Sequence, residues 1–101
     1  MKFEVFEQNV RNWATERLIY RYSNSRAQLL KAFSEMGELA DSDIKGNTDG
    51  KVDGVGDVIV CLVNYCAMEN LDFMKCCEAA WNEIKDRKGH MIAGGAFVKD
   101  E

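Results

Sequence analysis

The chain has 101 residues, 47% hydrophobic and 30% charged, with a formal net charge of −4. That length supports one modest core and excludes two domains, and the composition excludes a disordered chain. The acidic balance speaks against a nucleic-acid polymer as partner, which calls for a basic stripe. Proline is absent, which favours an all-α chain with short connections. No apolar run is long enough to span a bilayer and the first residues are charged, so neither a membrane span nor a secretory leader is expected. Cys61, Cys66, Cys76 and Cys77 lack zinc-site spacing and are expected as reduced, buried thiols of a cytoplasmic protein.

Phe3, Phe6, Val10, Trp13 and then Arg17 or Leu18 follow the three-and-four spacing of an amphipathic helix, with Glu4, Glu7, Arg11 and Glu16 on its polar face. After Ser23-Asn24-Ser25, the pair Ser25 and Gln28 has the capping-box spacing and predicts a second helix from Ser25 to about Ser42 or Lys45. Its expected buried stripe is Ala27, Leu30, Phe33 or Ala32, Met36, Leu39 and Ala40.

Gly46 to Gly50 reads as a loop, with a third helix opening near Lys51 to Asp53. From Val58 to Met68 that helix is apolar almost all round, interrupted only by Asn64, and is expected to be shared with a second subunit. Asn70-Leu71-Asp72 supplies a turn and a cap for a fourth helix. Its expected inner face is Phe73, Cys76 or Cys77, Ala80, Trp81 and Ile84. Residues 89–101 are expected as an irregular, partly mobile tail. The whole is a single domain, an antiparallel bundle of about four helices completed by oligomerisation.

The chemistry concentrates where the second helix faces the third. Glu35 and Glu38 stand three apart on one helix, and Asp53 and Asp57 four apart on the next. Both spacings place side chains on a common face. Four carboxylates converging beside an apolar core need a counter-charge, and a divalent metal supplies it. Capping is the competing role for Asp53 and Asp57 at a helix head. A calcium loop fails in both registers: counted from Asp41 it places Val52 at the closing acid, and counted from Lys45 it begins on a cation and closes on Gly56. Lys85, Arg87 and Lys88 could serve the fourth helix's dipole, but beside a metal-binding acid cluster they suit a polyphosphate. With one histidine and no glycine-rich phosphate loop, phosphate chemistry here depends on metal and carboxylates.

The pattern Glu35-Met36-Gly37-Glu38-Leu39-Ala40 followed by Asp53-Gly54-Val55-Gly56-Asp57-Val58 resembles the MazG-type nucleoside triphosphate pyrophosphohydrolases. It is most similar to the small single-domain members encoded by bacteriophages. The likeness extends to Arg11-Asn12-Trp13-Ala14, Ala27-Gln28-Leu29-Leu30-Lys31, Asn82-Glu83-Ile84-Lys85-Asp86-Arg87-Lys88-Gly89 and the Phe97-Val98-Lys99 ending.

The resemblance implies an all-α homodimer or homotetramer that cleaves a nucleoside triphosphate to the monophosphate and pyrophosphate, controlling the nucleotide pool. Mg²⁺ is the implied cofactor, with Mn²⁺ as the alternative ion. Glu35, Glu38 and Asp57 match metal-binding acids, and Asp53 joins them by its position on the face. Glu35 or Glu38 would activate the water, Lys85 and Arg87, with Lys88, would bind phosphate, and Trp13 would stack on a base. Two positions depart from the pattern: Ser34 where a glutamate commonly precedes the first motif acid, and Gly54 where the broader family has a glutamate. They leave open a catalytically inactive metal or nucleotide sensor, and the apolar third helix leaves open a structural oligomerisation module.

Overall fold

In a computed structural model, which describes residues 1–100, five helices precede a small hairpin: α1 Phe3–Glu16, α2 Ile19–Tyr22, α3 Ser25–Ile44, α4 Thr48–Met68, α5 Phe73–Ile84, β1 Gly89–Met91 and β2 Phe97–Lys99. The architecture is all-α, as the sequence indicates, with the hairpin as its one sheet among the described residues. The long helices α3 and α4 form an antiparallel pair, α1 packs against α4, and α5 meets α4 beyond the α4–α5 turn. No helix of the described residues is long and apolar enough to cross a membrane.

Side-chain caps set three of the helix starts. Asn24 accepts from the Ala27 amide at 2.8 Å, Asn47 from Gly50 at 3.0 Å and Asp72 from Lys75 at 3.1 Å. Each satisfies one of the amides that a first turn leaves without a partner. The cap of α3 is therefore Asn24 and not Ser25. Gln28, expected to complete the box, instead donates to Ser23 at 3.1 Å and is buried. Asn47 likewise starts α4 three residues before Lys51, which shortens the expected loop to Lys45–Asn47.

The core lies where α1 and α5 cover the second half of α4: Val10, Val63, Cys66 and Phe73, with Phe3, Phe6 and Leu62 against them. The Phe3 and Phe73 rings stack with centroids 5.5 Å apart. Asn64, the polar residue inside the apolar run, is buried and accepts from the Tyr20 hydroxyl at 2.7 Å. That bond fixes the one-turn helix α2, which sequence spacing did not disclose. Burial raises the Tyr20 hydroxyl's pKa, and Arg11 opposes the shift.

Three sequence expectations are corrected. On α3 the side chains buried against the bundle are Gln28 and Ala32, whereas Leu30, Phe33 and Met36 are 61%, 72% and 51% exposed. Periodicity identifies an apolar face but not what covers it, and within one chain that face is left bare. On α5 only Phe73 is buried; Cys76, Cys77, Ala80, Trp81 and Ile84 are exposed. Residues 89–100 are not an irregular tail, because His90 pairs with Val98 and Met91 with Phe97 in antiparallel register. Gly94 and Gly95, at φ +94° and +89°, make the turn between those strands.

The radius of gyration is 16.3 Å, against about 13 Å for a compact domain of this length. The open shape and the bare apolar stripe of α3 belong together.

Candidate functional site

The seam between α3 and α4 is set by close approach of the two helices. A Cβ placed on Gly54 would stand 3.0 Å from Leu39 Cβ, inside ordinary contact distance. Gly54 is buried there, so the position that departs from the family pattern works here as a packing position. The tight seam carries Glu35 from α3 alongside Asp53 and Asp57, one turn apart on α4.

The Glu35 side chain is only 14% exposed and lies 3.7 Å from Lys31 Nζ, its partner one turn earlier. Asp57 is half-buried. Burial raises its carboxyl above the usual carboxylate range, helped by a hydrogen bond with Asp53 and by the charges of Asp53 and Glu35, while Lys31 opposes. A carboxyl is pushed upward in this way when acids crowd one another and cations are too few. One turn further, burial also raises the Cys61 thiol, with Glu35 and Asp57 adding and Lys31 opposing.

The structure thus brings Glu35, Asp53 and Asp57 to one seam. Asp53 and Glu38 are both exposed, but Glu38, unlike Asp53, takes no part in the interactions that shift Asp57. No group of three acids, thiols or imidazoles among the described residues is arranged to hold a metal ion. The donor chemistry nevertheless fits one, since carboxylate oxygens are the ligands of hard divalent cations and the raised Asp57 carboxyl marks an excess of negative charge.

The basic residues lie elsewhere in the chain. Lys85, Arg87 and Lys88 follow the end of α5. Arg87 lies 3.4 Å from Glu83, and an open cleft there is lined by Glu83, Asp86, Arg87, Lys88, Lys99 and Asp100. Within one chain these cations are not gathered with the acids of the α3–α4 seam.

Trp13 is 45% exposed, with the Arg17 guanidinium 5.8 Å from its ring centroid. It shares with Asp57 a cleft of about 370 Å³ between α1 and α4. Sequence reading did not place Lys31 or Cys61 beside the acids. The four-residue spacing Lys31–Glu35 and Asp57–Cys61 was the signal that could have found them.

An antiparallel α3–α4 pair carries the acids on its seam and is flanked by α1 and α5, an arrangement whose fold is similar to that of a known MazG-like protein. Among solved structures, the chain is similar to the cyanophage S-2L MazG-like pyrophosphohydrolase bound to dGDP and three catalytic Mn²⁺ ions per active site. The TM-score is 0.74 at 15% identity, and the match covers 100% of this chain and 95% of that one. No family model matches the sequence, and neither does any curated protein.

Proposed function

We propose that the protein is a divalent-metal-dependent hydrolase of nucleoside triphosphates, releasing the monophosphate and pyrophosphate. The observation that carries the reading is the crowding of Glu35, Asp53 and Asp57 on the α3–α4 seam, in a fold shared with a Mn²⁺- and dGDP-bound pyrophosphohydrolase.

Glu35, Asp53 and Asp57 would hold the ion, Mg²⁺ or Mn²⁺, with Glu38, exposed in this structure, as the fourth acid. When bound, the cation neutralises phosphate charge and lowers the pKa of water. Glu35 or Glu38 orients the attacking water and takes its proton. The water oxygen bonds to phosphorus as the bridging P–O bond breaks, and pyrophosphate leaves with the electron pair. Trp13 stacks on the base.

Lys85, Arg87 and Lys88 neutralise the polyphosphate from a second copy of the chain. The open shape supports a homo-oligomer, as does an apolar groove of about 220 Å³ lined by Leu29, Ala32, Phe33, Met36, Val58 and Leu62. A non-catalytic metal or nucleotide sensor is the second reading, favoured by Ser34 and Gly54, the two departures from the family pattern.

The test is incubation with each nucleoside triphosphate and Mg²⁺ or Mn²⁺, following pyrophosphate and monophosphate. Turnover abolished by Asp57→Ala and by Glu38→Ala supports the hydrolase. Nucleotide binding without turnover establishes the sensor instead.

A further inference from the structure

The thiols at the junction of α4 and α5 have no part in the proposed hydrolysis. Cys66 lies in the last turn of α4, and Cys76 and Cys77 near the start of α5. Cys66 belongs to the core cluster with Phe73. Cys76 and Cys77 stand three and four residues after Phe73, which places them on the same face of α5 as that ring. That face looks back toward the end of α4. The Cys66 and Cys76 thiols are joined by a hydrogen bond, whereas Cys77 acts on Cys66 through charge alone.

The turn between the helices holds both backbones. The Leu71 amide donates to the Cys66 carbonyl at 2.9 Å, and the Cys76 amide to the Asp72 carbonyl at 3.1 Å. Asn70 turns the chain at φ +56°, in the left-handed region where asparagine is enriched. The two thiols differ in access: Cys66 is 7% exposed and Cys76 is open to solvent.

We infer that Cys66 and Cys76 form an oxidation site, which hydrogen peroxide converts to a disulfide clamping the first turns of α5 to the end of α4. The inference does not depend on the hydrolase reading. The exposed Cys76 reacts first. Its thiolate attacks one peroxide oxygen, the O–O bond breaks, and Cys76 becomes a sulfenic acid. The other oxygen leaves as hydroxide and takes up the proton that the thiol released. The Cys66 sulfur then attacks the Cys76 sulfur, the S–O bond breaks, and the hydroxide leaves as water with the Cys66 proton. Two thiols lose two electrons and two protons, and one peroxide becomes two waters.

The thiols are already in contact, so their sulfurs need only close to the ~2.05 Å of a disulfide. Burial, and then the neighbouring Cys76 thiol, push Cys66 up to about 11, with Arg11 of α1 opposing. That keeps Cys66 protonated and leaves the first attack to Cys76. The clamp also falls where it has most effect. Phe73 is the one buried side chain of α5, so the helix is held to the bundle at its first turn. A covalent tie three residues further on opposes its local opening.

Trypsin provides the test, because Lys75 separates the two cysteines. The protein is treated with equimolar hydrogen peroxide, alkylated without reduction, digested and mapped by mass spectrometry. Val52–Lys75 should appear joined to Cys76–Lys85, two hydrogens lighter than the two peptides together. Cys61→Ala and Cys77→Ser should keep the link, and Cys76→Ser and Cys66→Ala should lose it. Cys76→Ser, at an exposed position, carries the test even where Cys66→Ala disturbs the core. In Cys66→Ala/Cys77→Ser, dimedone should trap Cys76 as its sulfenic acid.

Oxidised wild type should melt several degrees above the reduced form, and hydrogen exchange across Phe73–Ile84 should slow. Dithiothreitol should reverse both changes, and Cys76→Ser should show neither. A link through Cys77, a link between two chains, or sulfinic acid without a disulfide overturns the assignment. A disulfide that leaves melting and exchange unchanged overturns the clamp.

Discussion

Helix α4 from Asp53 to Asp57 carries two carboxylates and a glycine against α3, whereas from Cys61 to Cys66 the same helix supplies most of the buried core. The first half places like charges together and raises the Asp57 carboxyl. The second buries Cys61, Val63, Asn64 and Cys66 and closes its one polar interruption through Tyr20. One rigid helix thus joins a region that costs stability to one that provides it. A strained acid cluster can persist because α4 is anchored a few turns away.

The comparison predicts opposite stability effects in the two halves. Val63 is fully buried, and Val63→Ala should cost about 2 kcal/mol through lost burial and a cavity, read from denaturant unfolding. Asp57→Asn should instead raise the melting temperature of metal-free protein at neutral pH. The sign follows from linkage: a carboxyl whose folded pKa is raised favours the native state while protonated, below its unfolded pKa, and loses that contribution as pH rises through the folded value. Wild-type protein should therefore gain melting temperature as pH falls toward the upper carboxylate range, and calorimetry should show Asp57→Asn with a shallower dependence.

A smaller effect belongs to the seam itself. Gly54→Ala places a Cβ against Leu39 at 3.0 Å and should cost about 1 kcal/mol or more by overpacking. Because the added methyl separates α3 from α4, turnover should fall further than stability. Equal losses in the two would detach the glycine from the site.

The smallest perturbation is a label. Cys66 is buried, and burial followed by the neighbouring Cys76 thiol pushes its pKa up to about 11; Cys61 is also buried and raised. Cys76 and Cys77 are exposed. A thiol reagent at neutral pH should modify Cys76 and Cys77 in folded protein and reach Cys61 and Cys66 only on unfolding, as peptide mass mapping would show.

Much of this was legible in the sequence. The order of the four longer helices, the placement of Glu35, Asp53 and Asp57 along one seam, and the heavy burial of the α4 run follow from spacing and composition, because those features are local. The inner faces of α3 and α5 were not legible. Periodicity marks Leu30, Phe33, Met36 and Trp81 as apolar, yet a single chain leaves them exposed, since what covers a face is not a local property. The hairpin was hidden by its length, two strands of three residues each.

The central claim, that the α3–α4 acids form a divalent-cation site, is tested most directly by titrating Mn²⁺ into the protein calorimetrically. Wild type should bind, Asp57→Asn and Glu35→Gln should each lose affinity by about tenfold or more, and Glu16→Gln on the solvent face of α1 should bind as wild type does. Equal Mn²⁺ affinity in all four proteins would contradict the account.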